Sequence, residues 1–323
     1  MNVGRAGGRP SLITLGVLVG WIVATALPAP VAASAPLPTV SRYVETAGHQ
    51  AHYDLGCRRS REKVGGPIAL VYGRPTLVDG KPGASLYAGP DATVAQIAAA
   101  ARQFVQGYRD CAVNAPLVIL IIASTNDESS PERVTFGHGA AWADAVDSVA
   151  AWTSSQGYGA LVSVHGGSDI EPGFNSAADS RAWVDGYDSA NSRAMYNLGS
   201  ADGCPQAGDG RTSGACNNGW RQHDVLYVSW LSGPAFPIPQ IYTNSGSQAK
   251  QWRFIKLYGV VSLGRTMTIQ GALTQSAACA ERSCSGDIDN TPEQGHSQLS
   301  SQLNADARTA QTVRWSTDIS WRR

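Results

Sequence analysis

Short apolar runs alternate with helical patterns along most of the chain. Helical patterns cover residues 91–110, 138–156, 176–191 and 247–259, and a polar stretch of similar character covers 292–313. The apolar runs are IALVYG (68–73), PLVILIIAS (116–124), GALVSVHG (159–166), AMYNLG (194–199), DVLYVSW (224–230), PIPQIYT (237–243) and TMTIQGALT (266–274). This alternation is typical of βαβ units, in which helices connect the strands of a parallel sheet.

Two architectures fit such a series, a closed barrel and an open doubly wound sheet. Seven candidate strands over about 250 residues suit a barrel. A dinucleotide-binding open sheet needs a Gly-rich phosphate loop after its first strand, and IALVYG is not followed by one. We therefore expect an α/β fold, a single-domain (β/α) TIM-like barrel over residues 67–323, with room for irregular elements. Residues 36–66 are rich in Pro and Arg without a clear period and are expected to form an extended N-terminal arm.

The beginning of the chain is typical of a secretory signal peptide. Arg5 and Arg9 precede an apolar run over 12–27, and the small residues PVAASA follow. We expect a signal peptide over residues 1–35, and hence a secreted, extracellular protein with no membrane attachment after cleavage. The alternative is an uncleaved anchor, but the apolar run is short for a span of about 20 residues.

The cysteines indicate disulfide bonds. An even number, six, in an exported chain predicts three disulfides, for which 15 pairings are possible. Proximity in sequence favours Cys204–Cys216 and Cys279–Cys284, which leaves Cys57–Cys111. A zinc site is the weaker alternative, because the sequence contains no Cys-x-x-Cys.

The charge pattern narrows the range of partners. Lys+Arg and Asp+Glu are both 25, and no basic run is present, so a nucleic-acid partner is not expected. Charged residues make up only 15% of the chain, so Ser, Thr, Asn, Gln and Gly must form much of the surface, as is common in exported proteins that meet sugars or cell walls. The sequence lacks GxSxG and HExxH motifs, and we expect no cofactor and no metal.

The most distinctive stretch is SVHGGSDIEPGFN (163–175), in which Asp169 and Glu171 follow an apolar run. Side chains at i and i+2 of an extended segment share a face, with Cα atoms about 6.5 Å apart. Pro172 favours an extended Glu171, and Gly166 with Gly167 is expected to let the backbone turn toward the mouth of the barrel. Two carboxyls on one face suit the acid and base of a glycosidase. The alternatives are helix capping, for which Asn175 or Ser176 is the better candidate, and a surface salt bridge or bound cation.

Other candidates follow neighbouring strands. Asp127 or Glu128, in TNDE (125–128), is a candidate second acid across the mouth, or part of a solvated loop, and Asn126 beside them is a candidate ligand contact. His165 precedes Asp169 in its strand and is a candidate to orient it. Aromatic rings bind the flat apolar faces of sugars, and four of them lie in or beside strand ends, where each is either a sugar contact or part of the core: Trp230, Trp220, Tyr196 and Tyr242.

The layout is similar to that of family 25 glycoside hydrolases, lysozymes of cell-wall turnover. The resemblance rests on SDIE (168–171) at the end of a middle strand and on DVLYVSW followed by PIPQIYT, and it covers roughly residues 159–243. The chain resembles more closely the secreted actinobacterial barrels of unknown function that are called glycoside-hydrolase-like. This resemblance implies a carbohydrate or cell-wall glycan as partner, with Glu171 as the acid and Asp169 assisting. A barrel that binds a glycan without cutting it is the alternative.

Overall fold

Parallel strands and the helices that follow them make up most of the domain. The computed structural model describes residues 35–127, 133–191, 193–284 and 286–322, together with Gly4 and Gly7. Its strands are β1 (Thr39–Tyr43), β2 (Gly66–Val71), β3 (Arg74–Val78), β4 (Lys81–Ser85), β5 (Ala92–Thr93), β6 (Val118–Thr125), β7 (Val162–Asp169), β8 (Met195–Asn197), β9 (Ala235–Pro237), β10 (Gly271–Thr274) and β11 (Trp315–Ser320). Its helices are α1 (His49–Glu62), α2 (Val94–Asp110), α3 (Phe136–Ser155), α4 (Ala177–Ala190), α5 (Gln222–Leu226), α6 (Ser247–Leu263), α7 (Ser276–Arg282) and α8 (Pro292–Asn304), with a 3-10 turn at Asn217–Gly219 and a π-helix at Tyr227–Leu231.

The strands close into a barrel. Across the described residues, eight parallel strands lie in the order β10-β11-β1-β2-β6-β7-β8-β9. A parallel bridge between Gln240 and Leu273 joins the two ends of this series, and Ile241 N donates to Leu273 O at 2.8 Å. The predicted (β/α) TIM-like barrel is therefore confirmed, and residues 35–323 form one compact unit.

The period-2 pattern of the strands divides the core into two parts. Val162 and Val164 of β7 face outward and pack against the helices, together with Trp183 of α4. The residues inside the barrel form a second cluster, which includes Ala69, Val71, Ile121, Ala123, Tyr196, Leu198, Ile238, Tyr242, Leu273 and Ile319. Because strands buried on both faces carry apolar residues at nearly every position, they read as continuous apolar runs in the sequence.

A small antiparallel sheet interrupts the barrel series between β2 and α2. Strands β3, β4 and β5 form it in that order. Asp79 and Gly80 connect β3 to β4 with φ angles of 50° and 73°, and Val78 pairs with Lys81. Two central residues with positive φ are typical of a type I′ hairpin, for which Asp-Gly is a preferred sequence.

The prediction of an extended arm over residues 36–66 is wrong. This segment contains β1, which pairs in parallel with both β2 and β11, and helix α1, which packs against α2. Helix α1 is mostly polar and buries His52 and Arg59 alongside Leu55, so its inner face carries no continuous apolar stripe. The barrel therefore begins at β1, and β1 and β11 supply two strands that the apolar pattern does not predict.

A second correction concerns residues 224–243. DVLYVSW (224–230) was expected to be a strand, but α5 and the π-helix cover it. PIPQIYT (237–243) contributes only Pro237 to β9 and the isolated bridge at Gln240. The strand pair on which part of the family 25 resemblance rests is therefore absent from these described residues.

The structure forms the three disulfides expected from proximity in sequence. Their Cα–Cα distances are 5.0 Å for Cys57–Cys111, 4.0 Å for Cys204–Cys216 and 4.8 Å for Cys279–Cys284. The expected signal peptide lies almost wholly outside the described residues. Among the described helices, none is both long and apolar enough to cross a membrane.

Helices α1 and α2, which the first disulfide links, touch through glycines. A Cβ atom on Gly107 would lie 2.0 Å from the backbone oxygen of Tyr53, and one on Gly56 would lie 2.0 Å from that of Phe104. Both contacts are with backbone, which cannot swing aside as a flexible side chain can. The close approach of the helices therefore requires glycine at both positions.

We expect Gly107→Ala to lower the free energy of unfolding by about 2 kcal/mol, because the added methyl forces the two helices apart. Urea denaturation with intact disulfides measures this change. Gly137→Ala is the matched control: Gly137 also lies in a helix, but its Cβ would meet no atom within 4 Å. The control should be neutral or slightly stabilising, and equal losses in both variants would contradict the argument.

Candidate active site at the carboxyl end of the barrel

Polar residues that follow β6 and β7 meet at one edge of the barrel. Thr125 and Asp169 end these two strands and pair with each other. Asn126 N donates to Asp169 O at 3.1 Å, and Glu171 follows two residues after Asp169. Because the carboxyl ends of parallel barrel strands open on one face, these side chains surround a common mouth.

One amide holds the two predicted carboxyls together. Gln240 Nε2 donates to Asp169 Oδ1 and to Glu171 Oε1, each at 2.7 Å. The two acceptor oxygens therefore lie no farther apart than twice that length. Ser200 Oγ donates to the other oxygen of Glu171 at 3.3 Å. The expectation that Asp169 and Glu171 face the same way is confirmed.

The environment of this pair favours protonated carboxyls. Burial, followed by the neighbouring charge of Glu171, raises the pKa of Asp169 well above its ordinary value. Burial, followed by the negative charge of Asp202, raises the pKa of Glu171 to about 7, although the hydrogen bond from Gln240 opposes this shift. Both carboxyls of the pair are therefore protonated more readily than exposed carboxyls are.

Gly166 and Gly167 serve packing, which corrects the expectation that they turn the backbone. Both lie inside β7, which continues to Asp169. A Cβ on Gly166 would lie 2.4 Å from the hydroxyl of Tyr187 on α4, and one on Gly167 would lie 2.5 Å from Ile121 inside the barrel. Gly166 therefore leaves room for the Tyr187 ring on one face of β7. Gly167 leaves room for Ile121 on the face inside the barrel.

Asn126 positions Glu171. Its Oδ1 accepts from Glu171 N at 2.9 Å, and its Nδ2 donates to Glu171 O at 3.1 Å and to Ser180 Oγ at 2.9 Å. The residue is buried, and these bonds use both its donor and its acceptor. The prediction that Asn126 contacts a ligand is therefore replaced by a role in fixing the backbone beside the acid.

Asp127 lies on the same rim but is already paired. Arg74 Nε contacts Asp127 Oδ2 at 2.6 Å, and both side chains are partly exposed. The negative charge of Asp127 also contributes to the raised pKa of Glu171, after burial and the charge of Asp202. Glu128, the other predicted acid of this loop, lies outside the described residues. Asp127 therefore borders the mouth as one half of an ion pair.

Asp202 is a carboxylate near Glu171 that the sequence candidates did not include. It lies on the loop after β8, where its backbone oxygen accepts from Asn217 N at 2.9 Å and where Cys204 is tied to Cys216. Its Oδ2 lies 3.9 Å from the position a Cβ on Gly173 would take, so the side chain reaches over the segment after Glu171. The signal for it is its place on the loop that follows a strand, as for Asp127.

Tyr242 lies close to the carboxyls. It is 7% exposed, and its hydroxyl is hydrogen-bonded to that of Tyr43, which ends β1. Burial, followed by the neighbouring Tyr43 and Asp169, raises the pKa of Tyr242. The charge of Asp169 acts on both phenols, so this tyrosine pair lies beside the acids.

An aromatic rim borders the mouth, formed by Tyr43, Tyr87 and Trp321. Tyr43 stacks on Trp321 with ring centroids 4.3 Å apart, and Tyr87 packs edge-on against both. Arg282 covers Trp321 at 3.7 Å. Tyr43 ends β1 and Trp321 follows β11, so two of the three rings come from the strands that the apolar pattern does not predict.

The other predicted sugar-binding rings lie elsewhere. Trp220 is 1% exposed and donates to Asn175 O, so it belongs to the core. Tyr196 is buried inside the barrel and packs edge-on against His165. Trp230 lies on the π-helix and packs on Phe236. Of the four predicted rings, Tyr242 is the one that the described structure places beside the carboxyls.

Two alternatives for this stretch can be compared with the structure. Ser176 caps α4 by accepting from Asp179 N at 3.1 Å, so capping does not explain Asp169 or Glu171. His165 bonds Ser163 Oγ at 2.8 Å and lies four residues before Asp169. Among the described residues, no group of three His, Cys, Asp or Glu side chains is placed to hold a metal ion.

The fold and site together define a class: parallel (β/α) barrels with paired acidic residues at their carboxyl mouth. Comparison with known proteins adds no relative, since no family model, curated protein or solved structure matches this chain. What the site does must therefore be argued from its chemistry.

The raised pKa of Glu171 predicts a pH dependence of stability. The folded state binds this proton more tightly than the unfolded chain, in which the carboxyl titrates near 4.5. The tighter binding of this proton stabilises the folded state. The stabilisation is complete below pH 4.5 and is lost as the pH rises through about 7. The loss is on the order of 3 kcal/mol. In Glu171→Gln the fall in unfolding free energy between pH 5.5 and 8.5, measured in urea, should be much smaller.

Glu293→Gln, which removes an exposed carboxyl at the start of α8, is the control for that measurement. It should keep the wild-type pH slope. If Glu171→Gln and Glu293→Gln show the same slope as the wild type, Glu171 does not titrate as proposed.

Proposed function

We propose that this protein is a secreted glycoside hydrolase that cuts a glycosidic bond of a cell-wall or related glycan at the carboxyl mouth of the barrel. The observation that carries the proposal is the pair of buried carboxyls, Asp169 and Glu171. Both accept a hydrogen bond from the side-chain amide of Gln240. Glycosidases use one protonated carboxyl to protonate the leaving oxygen of the sugar bond. A carboxyl with a pKa of about 7 holds such a proton under mild conditions.

Glu171 acts as the acid in this scheme. It lies two residues after Asp169, the last residue of β7. It is also more exposed than Asp169, so it is the member of the pair that a substrate can reach. Asp169 assists from the strand end, because its buried carboxyl shares the Gln240 amide with Glu171 and the charge of Glu171 acts on it. The pair is too closely spaced to admit a water between its members, since an inverting mechanism needs carboxyls about 6.5–9.5 Å apart.

Asp202 is the partner carboxylate we assign. When Glu171 protonates the glycosidic oxygen, the bond from that oxygen to the anomeric carbon breaks. A water then adds its oxygen to that carbon and releases a proton, which Asp202 accepts. Asp202 suits this role better than Asp127, because its charge acts more strongly on Glu171 and because Asp127 is engaged with Arg74.

The surroundings of the acids favour a sugar as the substrate. The hydrogen-bonded hydroxyls of Tyr242 and Tyr43 lie beside the carboxyls. Tyr43, Tyr87 and Trp321 pack on one another and are half-buried, so the exposed part of this ring cluster is the apolar surface left for the C–H face of a sugar. Three disulfides and a surface with few charges suit a location outside the cell, where cell-wall glycans are met.

We expect Glu171→Gln to lower the rate of glycan hydrolysis at least 100-fold, because the amide cannot protonate the leaving oxygen. The measurement is the release of reducing ends from peptidoglycan, chitin oligosaccharides and other polysaccharides by the mature protein. Wild-type activity should fall as the pH rises through about 7, since Glu171 must be protonated to act. Glu293→Gln should retain full activity.

The alternative function gives a different pattern. If no polysaccharide is cut by the wild type but a glycan column retains both wild type and Glu171→Gln, the barrel binds glycan without hydrolysing it. If neither cutting nor retention occurs, the mouth is not a sugar site. Hydrolysis that is undiminished in Glu171→Gln would assign the reaction to other groups.

Asp202→Asn tests the second carboxylate. We expect a 10- to 1000-fold lower hydrolysis rate with little change in folding, because the loop is held by its disulfide and by backbone hydrogen bonds. Azide is a nucleophile that needs no general base, so added azide should restore cleavage of the sugar bond in Asp202→Asn and give a glycosyl azide in place of the reducing sugar. Asp127→Asn serves as the comparison, and a larger loss in Asp127→Asn than in Asp202→Asn would reverse the assignment.

A further inference from the structure

A second cavity lies on the outer face of the barrel, where α4, the π-helix and the end of α6 meet. Its volume is about 640 Å³, which falls within the range of small-molecule sites. The residues that define its chemistry are Arg181, His223, Tyr227, Trp230, Leu231 and Arg265. This cavity includes Trp230, the predicted sugar-binding ring that does not lie at the barrel mouth.

The π-helix builds the floor of this cavity. Ser232 N donates to Tyr227 O at 3.0 Å, the i to i+5 bond that defines such a turn. Tyr227, Trp230 and Leu231 all face the cavity from this one turn, and both rings are partly exposed. π-Helical turns are rare and occur frequently at functional sites. The backbone is thus wound in an uncommon way at the place where two rings reach the cavity.

The walls of the cavity are cationic. Arg181 lies 3.9 Å over the Tyr227 ring and bonds Asp224 Oδ1 at 3.0 Å, so its charge is largely balanced. Arg265 is exposed and makes no ion pair with any described residue. His223 lies beside them. No carboxylate lines the cavity directly, but Tyr227 donates to Asp185 Oδ1 at 2.7 Å, and Gly233 of the lining packs against Asp188. The cavity therefore offers the exposed guanidinium of Arg265, which forms no ion pair among the described residues, above an aromatic floor.

This cavity is separate from the barrel mouth. Trp230 packs on Phe236, whose ring contacts that of Tyr196. Tyr196 in turn packs against His165, which lies four residues before Asp169 on β7. Four strand residues span about 13 Å. The chain of contacts from Trp230 therefore leads to the amino end of the barrel, away from Asp169.

We propose that this cavity binds a carboxylate-bearing saccharide, such as a segment of a uronic-acid polymer, as a second glycan site independent of the barrel mouth. The guanidinium of Arg265 receives the carboxylate in a paired, charge-assisted contact. The rings of Tyr227 and Trp230 receive the apolar face of the sugar. A site that holds acidic glycan on the outer surface keeps the protein attached to its polymer whether or not the mouth is occupied.

The test is calorimetric titration of the mature protein with tetramers of galacturonic acid and of glucuronic acid, and with their neutral methyl esters. The acidic tetramers should bind more tightly than the esters, with an affinity that falls as salt is added. Arg265→Glu should weaken binding of the acidic tetramers at least tenfold. Arg58→Glu, which reverses an exposed charge on α1 outside the cavity, should not. Trp230→Ala should weaken binding of both forms of tetramer.

The outcomes separate this proposal from the proposed hydrolase. Glu171→Gln should bind the acidic tetramers as the wild type does, even if the protein proves inactive on every glycan. Loss of binding in Glu171→Gln would place the ligand at the mouth and overturn the proposal. Equal binding of acids and esters, equal binding by Arg265→Glu and wild type, or no binding of any tetramer would overturn it as well.

Discussion

Gln240 is the point at which the barrel closes and its acids are held. Its backbone lies in the parallel bridge with Leu273 that joins the two ends of the sheet. Its side-chain nitrogen donates to Asp169 and Glu171, and its amide hydrogens are therefore both used on carboxyls. Since each acceptor is fixed by the same group, the geometry of the acid pair depends on the bridge that joins the two ends of the sheet. The same residue thus joins the ends of the sheet and holds the two carboxyls.

Holding two buried carboxyls together has a cost that other parts of the fold must offset. Asp169 is 7% exposed and Gln240 is 4% exposed, so little water reaches the pair. A buried charged carboxylate is strongly unfavourable, and burial accordingly raises the pKa of Asp169. Neighbouring features limit the motion of the segments that carry the acids. Asn126 fixes the backbone of Glu171 on one side, and the Cys204–Cys216 disulfide restrains the loop of Asp202 on the other.

The barrel could be predicted because its central strands are buried on both faces. β2, β6 and β7 are apolar runs bounded by polar residues, and α2, α3, α4 and α6 separate or follow such runs. β1 escaped prediction because TVSRY is short and carries polar residues, and α1 because its buried face includes His52 and Arg59. DVLYVSW has the residues of a strand but forms a helical turn, since tertiary packing overrides local preference. The Asp79-Gly80 hairpin was not predicted, although Asp-Gly is a preferred sequence for such a turn.

The sequence predicts those parts of the site whose geometry depends on residues close together in the chain. Asp169 and Glu171 follow from an i, i+2 spacing at a strand end, because that spacing is a local property of extended backbone. Gln240 is 69 residues beyond Glu171, in a segment with no strand of its own, and only closure of the barrel brings it there. The same holds for the rim, where Tyr43 and Trp321 stack although they come from opposite ends of the domain. Aromatic residues near strand ends look alike in the sequence, yet Trp220 fills the core and Tyr242 meets the acids, because their roles depend on contacts distant in the chain.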